Sequence, residues 1–225
     1  MLFDLRSRGR RRTVQAVYLF LAIILGGGLV LFGVGAGNGF GGILDAFTGN
    51  GSGSSQGSAV SQQEKTALQQ TKRQPNNAQA WGDLVQARWS SAGQGSNFDS
   101  STGQYTASGK RELTGATQAY ERYLQLVKTP DAALTVLAAR AYTQLGKYGP
   151  AAAAWERETM VEPGVAKSYE CLAANAYAAS QARKGDLATG QALSTATKAQ
   201  RTTIKQQLQQ AKTSTSSAKQ IAVLC

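Results

Sequence analysis

Apolar side chains fall into two regimes along this chain. From Val14 to Ala36 they run without a single charge, with Val17, Tyr18, Leu19, Phe20, Leu21, Ile23, Ile24, Leu25, Leu29, Val30, Leu31 and Phe32 in one block. A helix rises about 1.5 Å per residue and a hydrocarbon core is about 30 Å thick, so roughly 20 such residues cross a bilayer. Beyond Val60 the apolar positions are spaced at helical intervals, alanine and glutamine are abundant, and β-branched runs and long alternations are missing. The pattern predicts an all-α protein: a transmembrane helix over 13–36, a glycine/serine linker over 37–59, a helical domain over 60–212 and a tail over 213–225.

Local signals divide the helical domain. Ser61-Gln62-Gln63-Glu64 has the form of a capping box and opens a helix expected to end near Gln74, before Pro75-Asn76-Asn77. A second helix is expected from Ala78 to Ser90, with Trp81, Leu84 and Val85 on one face. Ser91–Ala107 reads as irregular, with Asp99 and Gly103 in a turn that Phe98 and Tyr105 pin down. A calcium loop there lacks further acidic ligands and a terminal glutamate. Helices are then expected over 108–127, from an Asp131 cap to Leu145, over 151–161 with Pro150 in a first-turn position, and from Ala166 to Lys184. Gly185 reads as a helix stop and Asp186 as the next cap. Thr197-x-x-Gln200 is a second capping-box match, with a last helix ending near Lys212.

One motif carries more than local structure. Tyr142-x-x-Leu145-Gly146-x-Tyr148-x-x-Ala151-x-x-x-Trp155, closed by Pro163, resembles the tetratricopeptide repeat. Ala138, Ala139 and Ala151 let two antiparallel helices approach, Tyr142 and Trp155 fill the space between pairs, and Gly146 makes the tight turn. Tyr169, Leu172 and Ala173 lie 34 residues after Thr135, Ala138 and Ala139, the period of that family. Trp81-x-x-Leu84 looks like another first helix, with Ala116-x-x-x-Tyr120 as its delayed partner. An unrelated array of helical hairpins is the plainer alternative.

The resemblance implies a short right-handed superhelix of helix pairs that binds proteins in a groove lined by the first helix of each pair. Transferred residue by residue, it selects Gln79, Gly82, Gln86 and Trp89, then Val136, Arg140 and Thr143, then Lys167, Glu170, Cys171 and Tyr177. Gly82 and Gln86 stand where a carboxylate-binding clamp would need cations or amides, which argues against a receptor for chaperone tails. Ordinary surface side chains are the bland reading of the same set. The combination of anchor, linker and repeats is similar to single-pass tetratricopeptide proteins of bacterial membranes, some of them ancillary to secretion or envelope assembly.

Charge sets the expected topology. The net charge is +11, unevenly spread. Arg6, Arg8, Arg10, Arg11 and Arg12 precede the apolar run, and basic flanks stay cytoplasmic. The N-terminus is therefore expected inside and the repeats on the extracytoplasmic face of the cytoplasmic membrane. A cleaved signal peptide competes, with Val34-Gly35-Ala36 as its site, although the run is longer than a signal core. A buried soluble helix competes less well because Gly26-Gly27-Gly28 would weaken it. Gly33-x-x-x-Gly37 and Gly35-x-x-x-Gly39 resemble a helix-pairing face, so a homodimer is open.

Residues 60–180 hold twelve basic and ten acidic side chains, whereas 181–225 hold seven basic ones and Asp186 alone. A high overall pI is therefore no argument for nucleic acid. The basic arm, with Arg183, Lys184, Lys198, Arg201, Lys205 and Lys212, is the alternative functional surface, for nucleic acid, wall polymer or lipid head groups.

The chain has no histidine, which removes the commonest general base and metal ligand. No catalytic constellation, cofactor or metal site is expected, and the chain is not read as an enzyme. Glu156, Glu158 and Glu162 are expected to face solvent and to pair with Arg157 or Lys167. Cys171 and Cys225 are open between one disulfide and two free thiols. The expected partners are other proteins of the membrane or envelope, together with the bilayer itself.

Overall fold

The computed structural model describes residues 55–225, with nine α-helices and one small hairpin among them. The helices are α1 (Ser55–Arg73), α2 (Ala78–Ala92), α3 (Ala107–Leu124), α4 (Ala132–Gln144), α5 (Tyr148–Val161), α6 (Ala166–Ala178), α7 (Ala182–Thr195), α8 (Lys198–Thr213) and α9 (Thr215–Val223). The expected membrane helix, its arginine flank and most of the glycine linker lie outside the described residues. No helix within the described residues is long and apolar enough to cross a membrane.

The all-α expectation holds, and the caps account for several boundaries. Asn77 caps α2 by accepting from the Gln79 amide at 3.0 Å. Asp131 caps α4 by accepting from the Leu134 amide at 2.9 Å. Gln200 accepts from the Thr197 amide at 3.1 Å, closing the capping box at the start of α8.

Four expectations fail at helix ends. Ser61-Gln62-Gln63-Glu64 lies inside α1, which begins at Ser55, so no chain reversal needs that box. The proposed helix from Ala166 to Lys184 is two helices, because the chain turns at Ala179–Gln181. Gly185 is then an interior residue of α7: a Cβ there would meet the Tyr177 ring at 2.4 Å. Its smallness serves packing, not termination. The tail over 213–225 is also no tail. Ser214 caps α9 by accepting from the Ser217 amide at 3.3 Å.

The repeat is written in the backbone. α6 begins and ends 34 residues after α4, and α7 begins and ends 34 residues after α5. The turns match bond for bond. Lys147 N donates to Tyr142 O and Gln181 N to Ala176 O, both at 2.8 Å. Gly146 N donates to Thr143 O and Ser180 N to Tyr177 O, both at 2.9 Å. Gly146 and Ser180 both take the left-handed conformation, at φ 71° and 60°, which closes a helix C-terminus.

An earlier pair, α2 with α3, packs before this repeat, but its connection is longer. It contains the strands β1 (Phe98–Asp99) and β2 (Gln104–Tyr105), paired antiparallel with Phe98 opposite Tyr105. Their rings meet edge-on at 5.2 Å, as the expected pinning of the turn requires. Asp99 O accepts from Gly103 N at 2.8 Å across the reversal.

Small residues carry the core. Ala138, Ala139, Ala151, Ala173 and Ala174 are fully buried and let the helices approach, while Tyr142, Trp155, Leu172 and Tyr177 fill the gaps between them. Tyr169 packs half-buried against the same cluster. A second cluster joins Leu84, Val85, Tyr120, Tyr123 and Leu134, with Trp81 at its edge. Buried hydroxyls are satisfied across the pairs: Tyr120 Oη donates to Thr135 Oγ1 at 2.9 Å, and Thr143 Oγ1 to Asn175 Oδ1 at 2.8 Å.

Candidate functional site

The surface singled out from sequence is the face of the first helices, α2, α4 and α6. The structure brings part of it together. Trp89, Tyr105, Arg140, Thr143 and Gln144 line a cavity of about 320 Å³. Its remaining wall is Ala222–Cys225, contributed by α9 and the residues after it. Trp89 packs with Tyr105 and Leu145 against buried Ala92, Leu113 and Ala141, so its indole is held firmly at the rim. Arg140 is exposed, and its Nε donates to the Cys225 carbonyl at 2.8 Å.

The last helix therefore covers the face that the repeat spacing marks as the groove. α9 packs on α6, on its neighbour α8 and, less extensively, on α4. It presents Ala218, Ile221 and Ala222 inward, with Val223 and Leu224 exposed. A disulfide between Cys171 of α6 and Cys225 fastens its end, with the Cα atoms 5.6 Å apart. At its other side Lys219 Nζ sits 5.8 Å from the Tyr148 ring centroid, within range of a cation–π contact.

Magnitudes show what the bond contributes. Fully burying one isoleucine stabilises by about 1.5–3 kcal/mol. Ordering each backbone residue costs about 1–2 kcal/mol before hydrogen bonds and packing offset it. A nine-residue helix lies below the roughly 12–15 residues at which isolated helices become even marginal. Cross-linking positions 54 residues apart contributes about 4 kcal/mol in the chain-entropy account. The disulfide thus contributes at least as much as the burial of Ile221, the one branched apolar side chain that α9 buries.

Several groove assignments are corrected by burial. Tyr177 is buried against α7 and donates to Asp186 Oδ1 at 2.7 Å. Burial and that carboxylate push its phenol up to about 12. It is a core residue because Gly185 leaves room for its ring. Cys171 is fully buried in the disulfide, and Thr143 is buried by its bond to Asn175. Gly82 is buried beneath Leu134, which a Cβ would meet at 2.9 Å. Glu170 is buried beside Lys167, whose Nζ lies 3.1 Å from its carboxylate. Val136 packs half-buried against the core. Gln79 and Gln86 remain exposed on α2, and neither lines the cavity.

The acidic helix α5 differs from expectation too. Glu156 pairs with Lys184 of α7 at 2.7 Å, not with Arg157 or Lys167. Glu158 is buried, at 2% exposure, and its Oε2 has no hydrogen-bond partner. Burial raises its pKa, against a Ser168 hydrogen bond that lowers it. The residue points between α5 and α6 because its helical position repeats the buried stripe of Ala151, Ala154 and Trp155.

The basic arm is partly neutralised. Lys184 is paired as above, and Lys212 meets Asp186 at 2.7 Å. Arg201 Nε donates to Ala196 O at 3.1 Å, while Lys198 and Lys205 are exposed on α8.

Sequence reasoning missed the covering helix. The signals were present: a serine cap at Ser214, then apolar residues at 218, 221 and 222 in helical spacing. No protein-family model matches the chain, and no curated protein is significantly similar to it.

Proposed function

We propose that this chain is a membrane-anchored scaffold of tetratricopeptide type, with its repeats on the extracytoplasmic face of the cytoplasmic membrane. It holds protein partners of the envelope, in the service of secretion or envelope assembly. The observation that carries the reading is the 34-residue register shared by α4–α5 and α6–α7, down to their turn hydrogen bonds. Such arrays bind by surfaces assembled from successive repeats, and the reading is supported by Trp89 and Arg140 lining one cavity. Aromatic and arginine side chains dominate binding energy at interfaces.

Two observations support the location. The Arg6–Arg12 flank precedes the apolar run Val14–Ala36, and the Cys171–Cys225 disulfide belongs to an oxidising compartment. The salt bridges of Lys184 and Lys212 leave the polyanion reading with fewer free cations than the sequence offered.

The test is a crosslinked pull-down from membranes with the native chain and a Trp89→Ala/Arg140→Ala variant. The variant is expected to keep its helical content, to melt somewhat lower through the lost Trp89 packing and the lost Arg140–Cys225 bond, and to lose the captured proteins. Retention of every captured protein overturns the groove assignment. Capture that disappears steeply between low and moderate salt for native and variant alike transfers the function to the basic arm.

A further inference from the structure

We infer that the face of α4 and α6 is an acceptor for an amphipathic helix of a partner protein, and that α9 is its tethered occupant, released by reduction of Cys171–Cys225. The inference rests on the scaffold reading and adds how the surface is opened and what it takes.

The occupant defines the chemistry of the partner. α9 turns Ala218, Ile221 and Ala222 inward where it packs on α6, α8 and α4, an i, i+3, i+4 pattern with two small side chains and one branched one. Helix-in-groove recognition reads this spacing. The inward residues of α9 belong to the same alanine-rich buried cluster as Ala173 and Ala174 of α6, which favours small side chains on the inward face of a partner helix. At its end the partner must present an oxygen acceptor to Arg140, where the Cys225 carbonyl now sits. The cavity beside Trp89 and Tyr105 leaves room for an apolar side chain larger than this occupant supplies.

The two bonded cysteines differ in their access to solvent. Cys171 is fully buried, whereas Cys225 is partly exposed. A dithiol reductant, protein or small molecule, attacks the Cys225 sulfur. Its thiolate forms a mixed disulfide with Cys225 and releases Cys171 as a thiolate, which takes a proton. The second thiol of the reductant then closes onto the first, freeing Cys225 as a thiol. Two electrons and two protons pass to the protein, and the dithiol leaves as a disulfide. Without the cross-link, α9 is held by its packing on α6, α8 and α4, by the Arg140–Cys225 hydrogen bond and by the Lys219–Tyr148 contact, and a nine-residue helix adds little stability of its own.

The experiment uses the full chain in oxidised form, in reduced form, and as a Cys171→Ser/Cys225→Ser variant that needs no reductant. Hydrogen exchange follows 215–223 against α4–α7. A labelled synthetic peptide of residues 214–225, with serine at its last position, is the probe for the acceptor. On reduction, and in the variant, the α9 amides are expected to exchange about 100-fold faster while α4–α7 keep their protection. Peptide affinity is expected to rise by at least about tenfold over the oxidised chain, even with the tethered helix competing.

Unchanged protection of α9 after reduction overturns the release. Loss of protection in α4–α7 together with α9 makes the bond a plain structural cross-link and overturns it as well. Release without peptide binding overturns the acceptor, and a reduced chain that dimerises by exchanging α9 makes a second copy the occupant. None of these outcomes depends on the membrane pull-down, so the scaffold reading fails or stands separately.

Discussion

At the scale of single residues, the aromatic positions of the repeat were legible because their chemistry is unambiguous. A tryptophan or tyrosine at a helical interval beside alanines has to fill space. Trp155 is 3% exposed and sits in the largest core cluster. Truncating it to alanine should cost about 3–5 kcal/mol, as buried tryptophans do, and chemical denaturation of the helical domain measures this. Its buried Nε1 lacks a hydrogen-bond partner, so Trp155→Phe should cost far less than Trp155→Ala. Equal losses would show that the indole nitrogen, and not the packing, carries the site.

Glu158 was not legible, because a glutamate next to two others reads as a solvated face, and only the third dimension shows that α6 covers it. Its folded pKa lies above the unfolded value, through burial. The folded state then binds the proton more tightly, so this group's contribution is present below the unfolded value near 4.5. It is lost as pH rises through the folded pKa. Glu158→Gln should therefore raise the melting temperature at pH 7 and leave it nearly unchanged at pH 4. A variant that lowers stability at pH 7 would mean that the carboxylate is paired in solution.

At the scale of elements, helix existence was read well and helix ends unevenly. Caps with their own hydrogen bonds, such as Asp131 and Thr197, could be placed from sequence because the signal is local. Glycine misled, since it serves two purposes that sequence does not separate. Gly146 closes α4 by its left-handed φ, but Gly185 sits inside α7 to admit the Tyr177 ring, and Ser180 takes the strained turn instead.

Two substitutions separate these roles. Alanine favours an exposed helix interior over glycine by about 0.8–1 kcal/mol, yet Gly185→Ala should destabilise, since overpacking of this kind costs about 1–3 kcal/mol. Ser180→Gly should stabilise by about 0.5–1 kcal/mol, because the left-handed penalty of about 1–2 kcal/mol exceeds the entropic cost of glycine, about 0.5–1 kcal/mol. Urea midpoints of the two variants check both signs. A stabilised Gly185→Ala would return that position to the helix end that the sequence suggested.

At the scale of the whole molecule, the 34-residue period was visible in one clear motif and in scattered matches, and the backbone register explains why the matches were scattered. The geometry of α6 and α7 repeats that of α4 and α5 although Gly146 has become Ser180 and Trp155 has become Thr189. What the sequence could not convey is that the last helix folds back onto the repeats, since pairing Cys171 with Cys225 across 54 residues is a property of the fold. That bond also makes the proposed side of the membrane testable through its two sulfurs.

Intact cells treated with a membrane-permeant maleimide should therefore leave both cysteines unlabelled, and each should become labelled once a dithiol reductant is added. A cytoplasmic domain would instead be kept reduced, and Cys225, the more exposed of the two, would react in the first step. A membrane-impermeant maleimide should in parallel label a cysteine placed at Ser58 and spare one placed at Ser7. Labelling of Ser7→Cys alone, with first-step reaction of Cys225, would put the repeats inside the cell. It would also replace envelope proteins with cytosolic ones as the partners of Trp89 and Arg140.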